Sequence, residues 1–272
     1  MKLATIRLEG RTAAVRIDGD AAIELGAPNL TQFLNQPDWR SAASTADGQR
    51  HDLDDLEYET LVPRPDKVVC VGLNYRAHIL EMGRDLPTHP TLFAKYSGAL
   101  IGAFDNVQIP LGAEQIDWEA ELGVVIGAEV RHADLDQAAA AIAGYTVVND
   151  VTDRDLQNRT KQWLQGKTLE RSTPVGPWLV VDEGVPGSVS SVVDGDVVQH
   201  ADTADLVFGP AELVSYISGI ITLLPGDLIA TGTPGGVGHA SKPPRYLIEG
   251  SQLVTRIEGV GEQRNTCVKE VG

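Results

Sequence analysis

The hydrophobic pattern changes character near residue 65. Before that point, KLATIRL and AAVRI alternate apolar and polar positions around EGRT, which predicts a β-hairpin, and AAIEL adds a third short strand. Asn29 stands where an N-cap would open a short helix through Phe33 and Leu34. A polar stretch follows at 41–59, with five acids between Asp52 and Glu59, and it reads as solvated surface without a functional role. Val62-Pro63-Arg64-Pro65 reads as a stiff, extended linker. From Lys67 onward the apolar runs are longer and richer in β-branched residues. They predict strands at 68–71, 121–130, 145–148, 178–181, 189–198, 227–230 and 253–258. Helical spacing predicts helices at 75–82, 135–143, 152–159 and 210–223. Asp194-Gly195 is a strong hairpin signal inside 189–198. Strands outnumber helices and do not alternate with them regularly, so the expected class is a mixed α/β, β-rich fold and not a doubly wound sheet.

Length and charge narrow the picture. The 272 residues suit one large domain with a small companion, and the change of pattern divides them into a small N-terminal domain at 1–65 and a large domain at 66–272. Thirty-eight acids against 22 basic residues give a formal net charge of −16. That balance argues against nucleic acid or an anionic membrane as partner and is compatible with binding a metal cation. Cys70 and Cys267 cannot make a disulfide framework or a zinc ribbon, and a reducing compartment is the expectation. Residues 1–10 carry Lys2, Arg7 and Glu9 and contain no signal-like apolar run. The most apolar segment, 214–224, is broken by Ser215, Ser218, Gly219 and Thr222 and falls short of the ~20 residues of a membrane helix. The expected location is cytoplasmic.

Three tempting motifs fail on spacing. Gly166-Lys167-Thr168 lacks the upstream P-loop glycine, because Lys161 stands there. Gly236-Val237-Gly238 meets Ser241 where a dinucleotide fingerprint needs glycine. No serine occupies a G-x-S-x-G elbow. Cys70, inside an apolar strand, reads as a core residue.

Other segments carry chemistry. In Asp117-Trp118-Glu119-Ala120-Glu121-Leu122, a strand would put Glu119 and Glu121 on one face, where two like charges repel unless a cation lies between them. Asp150 follows Val147-Val148-Asn149 at a strand end. Together the three carboxylates offer hard oxygen ligands suited to Mg²⁺, Mn²⁺ or Ca²⁺. His78 and Glu81, at i and i+3 on a helix, could form a general base in which the carboxylate orients the imidazole. Lys95 and Lys167 are isolated cations beside apolar or turn segments. The loop Thr231-Gly232-Thr233-Pro234-Gly235-Gly236 could hold a carboxylate on its N–H groups and hydroxyls. Taken singly, each also reads as something plainer: a solvated strand end, a helix cap, an exposed helical pair or a simple loop.

Order and spacing are more specific. Gly72-x-Asn74-Tyr75-x-x-His78-x-x-Glu81, then Phe93-x-Lys95, Glu119-x-Glu121, Asp150, Lys167 and Thr231-Gly232-Thr233-Pro234, resembles the fumarylacetoacetate hydrolase family from about Lys67 to the C-terminus. The resemblance implies a β-roll or barrel-like catalytic domain, usually dimeric, behind a small N-terminal domain. It implies Mg²⁺ or Mn²⁺ as cofactor, with Ca²⁺ also accommodated, on Glu119, Glu121 and Asp150. It implies His78 and Glu81 as the water-activating pair on a lid, and Lys167 as the active-site lysine. Implied substrate contacts are Tyr75, Arg76, Lys95, Arg154, Gln157 and Thr233. The implied reaction is hydrolysis of an acylpyruvate, a small anionic 2-oxo acid, to pyruvate and a carboxylic acid, as in catabolism of aromatic compounds. The alternatives at such a site are oxaloacetate decarboxylation and isomerisation of a dienoic 2-hydroxy acid, because all three reactions pass through an enolate.

Overall fold

The computed structural model describes residues 1–81, 83–181 and 183–271, with the side chains of all of these except Asp55 and Glu81. Among the described residues the strands form a twelve-stranded sheet, a five-stranded sheet and a two-stranded pair. The main path of the large sheet runs Arg50–Asp52, Ala21–Glu24, Arg11–Asp18, Lys2–Leu8, Thr173–Val181, Ile142–Asn149, Ala120–Ile126, Leu228–Ala230, Val68–Gly72 and Thr91–Lys95. Neighbours along it are antiparallel except Leu228–Ala230 beside Val68–Gly72. The path has two ends, so the sheet is open and not a closed barrel. The mixed, β-rich class is as the pattern predicts.

Every residue of Ala120–Ile126 and Ile142–Asn149 is buried. Ala120, Leu122, Val124 and Ile126 pack on one face with the helices Leu135–Ala141 and Pro210–Ile220, while Val125 and Val148 pack on the other with Phe33 and Trp39. Burial on both faces is why these strands read as continuous apolar runs. Cys70 is fully buried on the second face, as predicted, and burial pushes its thiol well up. The N-terminal strands join this sheet directly, since Leu3 pairs with Leu179 and Lys2 with Val180. No helix among the described residues is long and apolar enough to cross a membrane.

The structure departs from the sequence pattern in informative places. Residues 62–65 are not an extended linker: Arg64 has φ 53°, and Leu61 and Val62 are fully buried. Within 41–59, the helix Trp39–Thr45 is anchored by Trp39, whose indole N–H donates to the Gly127 carbonyl at 2.9 Å. Glu59 and Asp105 both hold Arg7, at 2.9 and 2.6 Å. Truncating Trp39 to Ala is expected to cost about 3–5 kcal/mol, read as a lower urea midpoint with an unchanged slope. The expected strand 121–130 ends at Ile126, and the expected helix 210–223 ends at Ile220. Residues 189–198 split into Ser188–Val193 and Asp196–Asp202 at Asp194 and Gly195, both with positive φ, as a type I′ hairpin requires. Gly261–Lys269 is a strand the pattern does not predict. Its inward positions are Gln263, Asn265 and Cys267, and the two amides donate to the carbonyls of Val147, Gly176, Ala103 and Asp105. A buried face built from hydrogen-bonded amides carries no hydrophobic alternation.

Candidate active site

Three carboxylates meet through strand register. Ala120 is paired with Asn149, so Glu119 and Asp150 are the next positions on either side of the ladder, and the Asp150 N–H donates to the Glu119 carbonyl at 2.9 Å. Glu121 points to the face opposite Ala120 and Leu122. Oxygen atoms of Glu119, Glu121 and Asp150 all lie within 4.8 Å of one another, and all three residues are buried. Asp150 does not cap the following helix. That role belongs to Asp153, which accepts from the N–H groups of Asp155 and Leu156 ahead of Arg154–Asn158. Residues 152–153, expected to open the helix, instead pair with Ile116–Asp117.

Cations stand against this cluster. Lys95, at the end of Thr91–Lys95, donates to Asp150 and to the Val151 carbonyl, and its ammonium is fully buried. Lys167 donates to Glu119 and Asp150, both at 2.7 Å. It lies on the one-turn helix Leu164–Lys167, which approaches Arg154–Asn158 so closely that a Cβ on Gly166 would sit 2.4 Å from the Asp153 carbonyl oxygen. Arg154 reaches Glu119 and Asp117 at 2.8 Å and donates to Gln157 at 2.9 Å. Four carboxylates thus face three cations, a formal excess of one negative charge. Glu121 has no cation partner among the described residues. Burial, and then the charges of Asp150 and Glu119, push its carboxyl well above the usual range. At Asp150 burial also works to raise the carboxyl, but Lys167 and Lys95 outweigh it and the carboxyl is held low. Like charges about 4–5 Å apart repel by roughly 3–4 kcal/mol at an effective dielectric of ~20. A divalent cation relieves that repulsion, and an all-oxygen set of three carboxylates fits a hard ion such as Mg²⁺ or Mn²⁺.

The cluster opens into a cavity of about 260 Å³ whose walls include His78, Arg84, Glu119, Arg154, Gln157, Lys167, Thr233 and His239. Thus His78, expected to handle protons, shares the cavity with Lys167 and with Glu119, the one carboxylate of the cluster on its lining among the described residues. The Glu81 side chain lies outside the described residues. Tyr75 is not on the cavity lining but 1% exposed within the hydrophobic core, where burial and then the Glu121 charge push its phenol up, and Arg76 is exposed away from the lining. The Thr231–Pro234 loop does hold a carboxylate, but it is the protein's own: the Gly232 N–H donates to Glu121 at 2.7 Å. Gly232 has φ 102°, and a Cβ there would meet the Val71 carbonyl oxygen at 2.9 Å. Thr233 donates to the Ala120 carbonyl and accepts from Gln199.

Sequence reading misses several members of this site. Asp117 accepts from the N–H groups of Gly238 and His239, at 2.7 and 2.9 Å, while holding Arg154, so one buried carboxylate ties the 236–240 loop to the cavity wall. Gln199 accepts from the Ala120 N–H and donates to Thr233. Trp163, Arg84 and His239 line the cavity wall beside Phe93 of the Phe93-x-Lys95 motif. Asp117 was visible beside Glu119, but partners more than a hundred residues away were not.

A family model described as fumarylacetoacetate (FAA) hydrolase C-terminal matches residues 67–268. The chain belongs to the fumarylacetoacetate hydrolase family. This agrees with the spacing of the motif residues and with the carboxylate cluster they form. Among curated relatives, the mitochondrial oxaloacetate tautomerase Fahd2a of Rattus norvegicus is 41% identical over 212 residues, covering 76% of this chain and 68% of the relative. Among solved structures, 5-carboxymethyl-2-hydroxymuconate delta-isomerase from Mycobacterium smegmatis matches with TM-score 0.85 and 31% identity, covering 99% of this chain and all of that one. Fumarylacetoacetate hydrolase from Exiguobacterium antarcticum matches with TM-score 0.88 and 30% identity over the same shares of the two chains. Family membership makes the chain an enzyme-family member, and its relatives include a tautomerase and an isomerase beside a hydrolase.

Proposed function

We propose that the protein is a divalent-metal-dependent enzyme that shifts a proton between the keto and enol forms of a short 2-oxo acid of the oxaloacetate type. The observation that carries this reading is the buried Glu119–Glu121–Asp150 cluster with Glu119 and Lys167 at one wall of a small cavity. At about 260 Å³ the cavity is below the ~300–1,000 Å³ of drug-sized ligand sites, which favours a small metabolite. A divalent ion held by the three carboxylates would supply Lewis-acid polarisation of the 2-oxo and carboxylate oxygens. The chain's own groups do the rest. Arg154 and Gln157 orient the acid from one wall. His78 takes the proton from C3, the C–H electron pair becomes the C2–C3 double bond, and the 2-oxo oxygen takes up the negative charge. Lys167, fully buried with its ammonium between Glu119 and Asp150, is the nearby cation that stabilises this developing charge. Protonation at oxygen then gives the enol, and the reverse path gives the keto acid.

Hydrolysis of an acylpyruvate is a second reading, supported by His78 on the cavity wall and by the likeness to the fumarylacetoacetate hydrolase from Exiguobacterium antarcticum. The two separate in one assay. Ketonisation of enol-oxaloacetate, followed by ultraviolet absorbance, should accelerate with protein and Mn²⁺ and fall to the background rate with EDTA. No acceleration would sink the tautomerase reading. Release of pyruvate from acetylpyruvate with a higher kcat/KM than ketonisation would replace it with hydrolysis.

A further inference from the structure

The cavity-lining cations are not equivalent. Arg154 and Lys167 are committed to Asp117, Glu119 and Asp150. Arg84 lines the same cavity, yet its guanidinium has no ion-pair or hydrogen-bond partner among the described residues. Its position is set by the backbone. The Arg84 N–H donates to the Ile79 carbonyl at 3.2 Å and the Gly83 N–H to the Leu80 carbonyl at 2.9 Å, with Gly83 at φ 68°. This is a Schellman ending, and it turns the chain off the helix Arg76–Glu81 immediately ahead of Arg84. Farther on, His89 stacks on Tyr216 at 6.1 Å, and the strand Thr91–Lys95 begins two residues later. The segment bearing Arg84 is therefore tied at both ends.

We infer that Arg84 reads the far carboxylate of a dicarboxylic 2-oxo acid, which makes it a specificity-determining residue. The inference rests on the proposed function for the near end of the substrate, where the 2-oxo acid group meets the metal-type cluster. A short diacid bound there sends its second carboxylate away from the anionic floor, and an unpaired guanidinium on the wall is the group that accepts it. A planar guanidinium forms two parallel hydrogen bonds to a carboxylate, which adds orientation to charge. A monoacid of the same length leaves Arg84 without that partner.

Calorimetric binding of oxaloacetate and of 2-oxobutanoate, in which a methyl group replaces the far carboxylate, tests this on the Mn²⁺-loaded protein. The wild type is expected to favour the diacid. Arg84→Met should cut that preference roughly 10- to 100-fold, through weaker diacid binding alone, as loss of hydrogen bonds to a charged group implies. Arg84→Lys, which keeps the charge and loses the fork, should restore part of it. Equal weakening of both ligands by Arg84→Met, or an unchanged ratio, would overturn the inference. The two readings fail separately. If the wild type accelerates no ketonisation while Arg84→Met still erases the diacid preference, the proton-transfer reading falls and the role of Arg84 stands. If the wild type ketonises and the ratio is unchanged, the role of Arg84 falls alone.

Discussion

Replacing Asp150 with Asn is expected to lower metal-dependent turnover by about 10²–10³ and to destabilise the metal-free protein by about 3–5 kcal/mol. The two losses have different causes. Activity falls because the cluster loses one of its three oxygen anions and holds a divalent ion less well. Stability falls because Lys95 is fully buried and, among the described residues, its ammonium has only Asp150 and the Val151 carbonyl as partners. Lys167 retains Glu119, so most of the penalty falls on Lys95. Adding Lys95→Met to Asp150→Asn should therefore recover much of the stability and none of the activity. Urea denaturation in EDTA and turnover in saturating Mn²⁺ measure the two separately. Recovery of both together would mean that Asp150 acts only by neutralising Lys95.

His78→Ala should reduce turnover by roughly 10²–10⁴, the range for a positioned proton carrier, with little change in KM or in Mn²⁺ binding. The geometric basis is that His78 lies on the helix Arg76–Glu81 and lines the cavity without belonging to the carboxylate cluster. Loss of the imidazole should leave metal, cations and substrate contacts in place. Unchanged turnover would remove His78 from the reaction and direct attention to His239, the other imidazole on the wall. A raised KM with constant turnover would instead make His78 a binding group.

Part of this site was readable without coordinates. Glu119 and Glu121 share a parity, Asp150 ends an apolar strand, and Lys95 and Lys167 interrupt segments that otherwise read as structural. These are local facts, because strand parity and helix spacing depend on neighbours within a few residues. Arg84 and His239 carry no such signal, since an exposed arginine after a glycine and a histidine in a turn are ordinary surface features. The strand Gly261–Lys269 was hidden for another local reason: its buried amides look polar in sequence and behave as core only because distant carbonyls accept their hydrogen bonds.

By itself, then, the sequence determined the β-rich class, most of the strands, the family and the residue types of the metal-type cluster. The class, the strands and the residue types of the cluster follow from short-range periodicity and spacing, and the family from the resemblance of the combined motif set. Tertiary structure decided which residues meet. The pairing of Ala120 with Asn149 sets Glu119 beside Asp150, the close approach allowed by Gly166 sets Lys167 between them, and Gly232 spends the loop's N–H on Glu121. The same packing leaves Arg84 unpaired among the described residues while its neighbours are committed. Register and close approach depend on partners far away in the chain, and charge balance depends on which of them become buried together. Neither can be read from a window of neighbouring residues.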